Sequence, residues 1–387
     1  MDDRRPLSKP LRREGRGADE QMRRERDAAS RSSRPVSRAF GWWMIAFLVA
    51  GVLLSLLNPA LNEDPGGSPV DGSWTANYQQ QLDENSPLLD FATGVWGAIE
   101  YVLLREGRPG VLVGADGWLF PTQEFDAPPD RAEFRNRLAT NLAHVTGVRE
   151  ELAGDGVDLL VLLVPSKARL YEEKLGRYSL PQTVRESYDL ALAGLEESGV
   201  AVLDARPALE AAKATGEAFF RTDTHWTPHA TALVAQAVAQ RLGGPSWSGT
   251  HEYRTETVGT SDFHGDLSSF IPMGPLYDFL GPPADTLREL QTSRAGGPGS
   301  DLFAEEVQPV TLVGTSYSAD ERWHFAGALR RELGSDVLVA AQEGRGPLEP
   351  MTEYLNGEAY RDSRPELVLW EIPERHLSAD WANFEGE

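Results

Sequence analysis

Cysteine is missing from all 387 residues, which excludes disulfide frameworks, thiolate zinc sites, iron–sulfur clusters and cysteine nucleophiles at once. Any covalent catalyst must be another residue type. Positive charge is scarce beyond the first 40 residues: these hold 12 Lys or Arg against 7 Asp or Glu, a net of +5, leaving 25 against 52, a net of −27. So acidic a body offers no footprint for nucleic acid. Internal repeats are lacking as well. What is present is ordinary for a folded protein, with 41% hydrophobic and 25% charged residues, so most of the chain can bury a core and wholesale disorder is excluded.

The charge boundary coincides with Phe40 to Leu57, FGWWMIAFLVAGVLLSLL, 18 residues without charge and with one hydroxyl. At 1.5 Å per residue this spans roughly 27 Å, enough for a bilayer core. An Arg-rich stretch before it and an acid-rich chain after it fit the positive-inside rule, placing residues 1–39 in the cytoplasm as a disordered basic tail. Trp42 and Trp43 fall at the interface. A cleaved signal peptide competes with this uncleaved anchor over residues 40–57. The length of the run and the exit NPALNEDPGG stand against it, Asn58-Pro59-Ala60 for it. Residues 58–73 read as a short tether, and 74–387 as one globular domain outside the cytoplasm.

Within that domain, helical and short apolar segments alternate. Residues 75–105 read as helix with a break at Pro87. Val111 to Phe120 read as two short strands joined at Asp116-Gly117. Helices are expected at 131–153, 184–198, from Pro207, from Thr227-Pro228 to 242, near 320–333 and at 349–357. Strands are expected at 158–164, 200–203, 310–314, 336–340 and 366–370, while 243–309 shows few regular signals. Strands this apolar are covered on both faces, which points to a mainly parallel sheet between helix layers, an α/β three-layer sandwich. Chemistry in such sheets sits at the carboxyl ends of the strands.

Two loops carry the residue types that chemistry there needs. Gly314-Thr315-Ser316 follows a strand and precedes a helix, so the Ser316 hydroxyl is lifted into the cleft with neighbouring N–H groups free for an oxyanion. Asp223 and His225, in FRTDTHWTPHA, supply a base and the carboxylate that orients it, two residues apart on one side of an extended segment. Each also has a plainer reading: loop chemistry for the serine turn, turn or capping chemistry for Asp223. Together they suit acyl transfer at an activated serine.

DTHWTPHA followed by GTSYS resembles the alginate O-acetyltransferase family of the AlgJ and AlgX type. VLVGADGWLF, VPSKARLYEEKL, HGDLSSFIP and VLWEIPER resemble further family segments, over about residues 75–377. The resemblance implies an SGNH-hydrolase-like fold, with Ser316 as nucleophile, His225 as base and Asp223 as its orienter. It implies acetylation of an exported polysaccharide acceptor in the periplasm, with acetyl groups delivered by a multi-spanning membrane acyltransferase, and calls for no cofactor or metal. The added carbohydrate-binding module of some members has no match here, which with the anchor makes the chain more AlgJ-like.

Finer expectations follow. Backbone N–H groups at Ser316 and Tyr317 suit the oxyanion hole, with Gly344 or Gly346 contributing from a loop after a strand. Trp226 offers a sugar-stacking face or a packed aromatic. Lys167, Arg169, Arg221 and Arg345 form a positive groove or are ordinary surface charge. Glu371 and Arg375 fit a structural ion pair better than a catalytic role. Three rivals stay open: a secreted carbohydrate acetylesterase, a metal site built on His225, His229 and Asp223, and a non-catalytic polysaccharide-binding scaffold.

Overall fold

The computed structural model describes residues 41–128, 130–243, 251–295 and 308–384. The tail expected over 1–39 lies outside them, as do Phe40 and residues 244–250 and 296–307 of the stretch expected to be irregular. The chain divides after Thr93 into two units. In the first, α1 (Gly41–Leu57) is the described part of the expected anchor, and its side chains are almost all exposed. Trp74, where the globular domain was expected to begin, lies in this unit on α2 (Ser73–Asn85). Pro87 opens α3 (Pro87–Ile99), a position where its missing N–H needs no partner. With the π-helical turn that follows, Pro87–Leu104 is also long and apolar enough to cross a membrane by length and composition, while Gly41–Leu57 is a shorter apolar helix among the described residues.

The unit from Gly94 onward begins its strands with an antiparallel pair, β1 (Val111–Val113) and β2 (Leu119–Pro121). Their turn places Asp116 at φ 54° and Gly117 at φ 78°, the left-handed region that Gly adopts freely and Asp tolerates. Then come α4 (Arg131–Gly154), β3 (Asp158–Val164), α5 (Lys167–Leu170), α6 (Gln182–Glu197), β4 (Ala201–Asp204), α7 (Arg206–Thr215) and α8 (Pro228–Arg241). β5 (Tyr253–Phe263), α9 (Tyr277–Leu280) and β6 (Asp285–Arg294) follow. The chain closes with β7 (Val310–Val313), α10 (Ser316–Ala319), α11 (Phe325–Leu333), β8 (Val337–Val339), α12 (Leu348–Asn356), α13 (Glu358–Asp362) and β9 (Leu367–Pro373).

Among the described residues the central sheet runs β4-β3-β9-β7-β8, every pairing parallel. Side chains alternate across each strand, so an unbroken apolar run feeds two cores. Leu160, Leu162 and Val164 of β3 pack with Leu209 of α7, Val234 of α8 and Leu329 of α11. Leu159, Val161 and Leu163 pack on the other side with Val145 of α4, Tyr188 of α6 and Met351 of α12. The result is the three-layer α/β sandwich expected.

The 243–309 stretch is more regular than its sequence suggested. β5 and β6 pair as a long antiparallel ribbon with a bulge between Thr257 and Gly259. β5 is mostly exposed, and the covered positions of β6 carry only two large apolar residues, Leu287 and Leu290, so no apolar-polar alternation marks the ribbon. Thr255, Thr257, Val258 and Thr260 were the β-branched signal that remained.

Candidate active site

Loops at the carboxyl ends of the adjacent strands β3, β9 and β7 converge on one edge of the sheet, and the serine turn forms there. Thr315 caps α10, its hydroxyl accepting from the Tyr317 N–H at 3.3 Å, and Ser316 is the first helical residue. Glu371 of β9, fully buried, holds the turn from below. It accepts from the Thr315 N–H at 2.8 Å, the Ser318 hydroxyl at 3.1 Å and the Thr315 hydroxyl. Burial pushes its carboxyl up to about 7, against the opposing pull of these donors and the Arg375 charge. The Ser316 N–H finds no acceptor among the described residues, which leaves it available for an oxyanion.

The segment before α8 is folded back on itself: Phe219 bridges Trp226, the Phe220 N–H bonds the His225 carbonyl, and the Thr227 N–H bonds that of Ala218. Asp223 Oδ1 thereby accepts both from the His225 N–H at 2.8 Å and from Nδ1 at 2.7 Å. Burial would raise the Asp223 carboxyl, yet the bond and charge of His225 with the Asp266 N–H hold it below the ordinary carboxylate range. On the far side of the ring, His225 Nε2 lies 2.8 Å from Ser316 Oγ. Two further bonds lock the loops together: Trp226 Nε1 donates to the Tyr317 carbonyl at 2.9 Å, and the Tyr317 hydroxyl to the Thr224 carbonyl at 3.0 Å. The imidazole also stacks on Trp323, centroids 4.9 Å apart at 18°.

This geometry sits inside a region, residues 111–374, that matches the family model described as SGNH hydrolase-like domain, acetyltransferase AlgX. The chain belongs to that family. Among its relatives is the probable alginate O-acetylase AlgJ of Azotobacter vinelandii, 41% identical over 87% of this chain and 90% of that protein. The probable alginate O-acetylase AlgJ of Pseudomonas aeruginosa is 39% identical over 92% and 93%. Of solved structures, the O-acetyltransferase domain of Pseudomonas putida AlgJ superposes with a TM-score of 0.62, 37% identical over 70% of this chain and 93% of that one. Pseudomonas aeruginosa AlgX, 21% identical with a TM-score of 0.52 over 70% and 67%, shares the fold.

For this AlgX-family member, the structure gathers Ser316, His225 and Asp223 and disperses much of the expected groove. Lys167 is wholly buried: its Nζ donates to the carbonyls of Leu119, Arg221 and Asp223, so it braces the Asp-His loop and cannot touch a polymer. Trp226 is 0% exposed and so offers no stacking face. Arg169 is committed to Glu374, with Nε at 2.8 Å from its nearer carboxylate oxygen. Arg221 pairs with Glu217 at 3.1 Å, and Arg345 with Glu349 one turn along. The Tyr317 N–H is drawn to the Thr315 cap, leaving Ser316 as the better placed donor of the two. Gly344 and Gly346 lie in left-handed turns after β8, in a loop whose Gln342 N–H bonds the Gly314 carbonyl at 3.1 Å. Glu371 serves the serine turn instead of pairing with Arg375, whose guanidinium lies 5.3 Å from the Tyr317 ring centroid.

The metal reading loses its second imidazole, because His229 Nε2 faces Thr215 Oγ1 at 2.9 Å and the Ala212 carbonyl at 3.2 Å. Asp266 stands in its place: donor atoms of Asp223, His225 and Asp266 lie within 4.8 Å of one another. Both Asp223 oxygens and the facing imidazole nitrogen are already hydrogen-bonded, which suits a proton relay better than a cation. Asp266 and Trp323 were contributors that the sequence reading does not name, and Glu371 was named there only as half of an ion pair with Arg375. HGDLSSFIP and VLWEIPER were noted as segments, but burial and partners assign their roles.

Proposed function

We propose that this chain transfers acetyl groups to hydroxyls of an exported uronic-acid polysaccharide, alginate or a close analogue, through an acetyl-Ser316 intermediate. The observation that carries the reading is the continuous relay from Ser316 Oγ to His225 Nε2, 2.8 Å, and from Nδ1 to Asp223, 2.7 Å, in a domain of an acetyltransferase family. His225 takes the Ser316 proton as Oγ bonds to the acetyl carbon, and the oxyanion that forms faces the Ser316 N–H. Collapse breaks the bond to the leaving group, which departs with the proton from the imidazolium. A sugar hydroxyl then attacks the acetyl-serine, gives its proton to His225, and Ser316 leaves as the restored hydroxyl. Asp223, held ionised by its low pKa, stabilises the imidazolium in both halves.

Transfer differs from hydrolysis only in which hydroxyl enters second, so the acceptor must displace water at the site. A carboxylated acceptor finds a cation nearby. Arg322 places its guanidinium 4.8 Å from the Trp323 ring that stacks on His225, and 55% of its side chain is exposed beside its partner Asp320. The α1 helix serves as a single-pass anchor in the cytoplasmic membrane with the catalytic domain in the periplasm. Acetyl groups must then cross that membrane, which assigns their supply to a multi-spanning acyltransferase partner.

The test offers full-length protein an acetyl ester and defined uronate oligosaccharides and identifies products by mass spectrometry. Wild type yields acetylated sugar, and Ser316→Ala loses on the order of 10⁴-fold or more of the rate. Free acetate without acetylated sugar would make the protein an esterase.

A further inference from the structure

The turn His264-Gly265-Asp266 presses against the carboxylate end of the relay more closely than packing requires. A Cβ on Gly265 would lie 2.3 Å from Asp223 Cβ and 2.5 Å from its Cα, so only glycine lets the two segments touch. The contact is used. The Asp266 N–H donates to Asp223 Oδ2 at 2.9 Å, fixing the oxygen that His225 does not engage, and the Gly265 N–H donates to the Thr222 hydroxyl at 3.0 Å. In return, Asp266 Oδ1 accepts from the Thr224 N–H at 2.8 Å. Its other oxygen lies 4.0 Å from His225 Nδ1, with the side chain 46% exposed.

We propose that Asp266 is a positioning residue with a second, electrostatic duty. Its N–H sets the carboxylate plane of Asp223, and its own carboxylate adds to the field that favours the His225 imidazolium. The inference rests on the serine-relay reading above. Charged groups around the imidazole are Asp223 and Asp266 on one side, the Lys167 ammonium behind their loop, Arg322 beyond Trp323, and Arg375 beyond Tyr317. Removing one carboxylate from this set shifts the balance towards the neutral ring.

The experiment follows hydrolysis of p-nitrophenyl acetate by full-length protein across pH, for wild type, Asp266→Asn, Asp266→Ser and Asp266→Glu. Asparagine keeps the N–H clamp and an acceptor for Thr224 while deleting the charge. The acid limb of kcat/KM is expected to move about one unit to lower pH in both neutral variants, given a charge at 4 to 6 Å. The plateau should fall several-fold at unchanged KM, and Asp266→Glu should return the limb towards wild type. A limb that stays in place in Asp266→Asn and Asp266→Ser overturns the electrostatic duty, whatever happens to their melting temperatures. Ser316→Ala separates the two levels of argument: if it still turns over at the wild-type rate, the relay reading fails first.

Discussion

The floor of the relay and the β5–β6 ribbon solve the same problem, satisfying polar groups, by opposite means. Beneath the relay, buried charges bind backbone: Lys167 takes three carbonyls, Glu124 takes the N–H groups of Lys167 and Ala168, and Asp285 takes those of Arg221 and Thr222. Each of these charges pins an irregular segment that no sheet or helix could hold. The ribbon instead pairs its own backbone along a ladder broken by one bulge and, past Asp285 at the start of β6, leaves most of its charges in water. Its shape therefore depends little on any one side chain, whereas the relay depends on several residues far from the reacting oxygen. That asymmetry is a device for precision, since loops at strand ends carry chemistry only if something rigid positions them.

Replacing Lys167 with methionine should break the comparison on the side of the floor. It strands the buried carbonyls of Leu119 and Asp223, while that of Arg221 keeps the Leu119 N–H, and it leaves Glu124 facing a neutral neighbour. An unmet buried group costs about 1–3 kcal/mol and a broken buried charge network about 3–5 kcal/mol, so Lys167→Met is expected to lose at least about 3 kcal/mol in urea unfolding. Acetyl-ester turnover should fall with it, because the Asp223 carbonyl is one of the three ligands. A variant as stable as wild type would show that the floor is redundant.

Glu371→Gln sharpens the same side through pH. Glu371 has its folded-state pKa raised by burial from an ordinary value near 4.5 to about 7. Ionising it therefore costs stability: the penalty is absent below about pH 4.5, grows above it, and is complete above about pH 7. Glutamine carries no such penalty. Wild type should thus lose about 3 kcal/mol relative to Glu371→Gln between pH 4.5 and 8, since one pKa unit is worth about 1.4 kcal/mol. A difference that stays flat with pH would mean that the carboxyl is ionised throughout this range in the native state.

The contrast also explains what could be read before any coordinates. β3, β7, β8 and β9 are apolar enough to announce a sheet covered on both faces, and a serine turn together with a distant Asp-x-His segment marks a candidate site at the strand ends. Burial of individual polar residues is another matter. Nothing local distinguishes Lys167, a buried brace, from Arg345, a surface charge, because the difference lies in carbonyls 48 or more residues away in the chain. Its complete burial, which no local pattern announces, makes Trp226 a packed aromatic and not a sugar face. The ribbon escaped for the reverse reason: β5 is mostly exposed and β6 fills its covered positions largely with polar residues, which leaves no clear polarity period to detect.

On the ribbon, the smallest effect is expected. Glu252 and Arg254 pair at 3.0 Å with side chains 69% and 68% exposed, where water screens the charges and holding two long side chains costs entropy. Glu252→Ala should change unfolding free energy by less than about 0.5 kcal/mol and leave the pH profile of turnover unmoved. This outcome matters because β5 lies between the Asp223–His225 segment and Asp266 in sequence, so position alone would rank its charges with those of the relay loops. A loss approaching that of Lys167→Met would mean that the ladder needs its side chains as much as the relay loops do. The division between a pinned site and a self-sufficient ribbon would then dissolve into one continuous electrostatic surface.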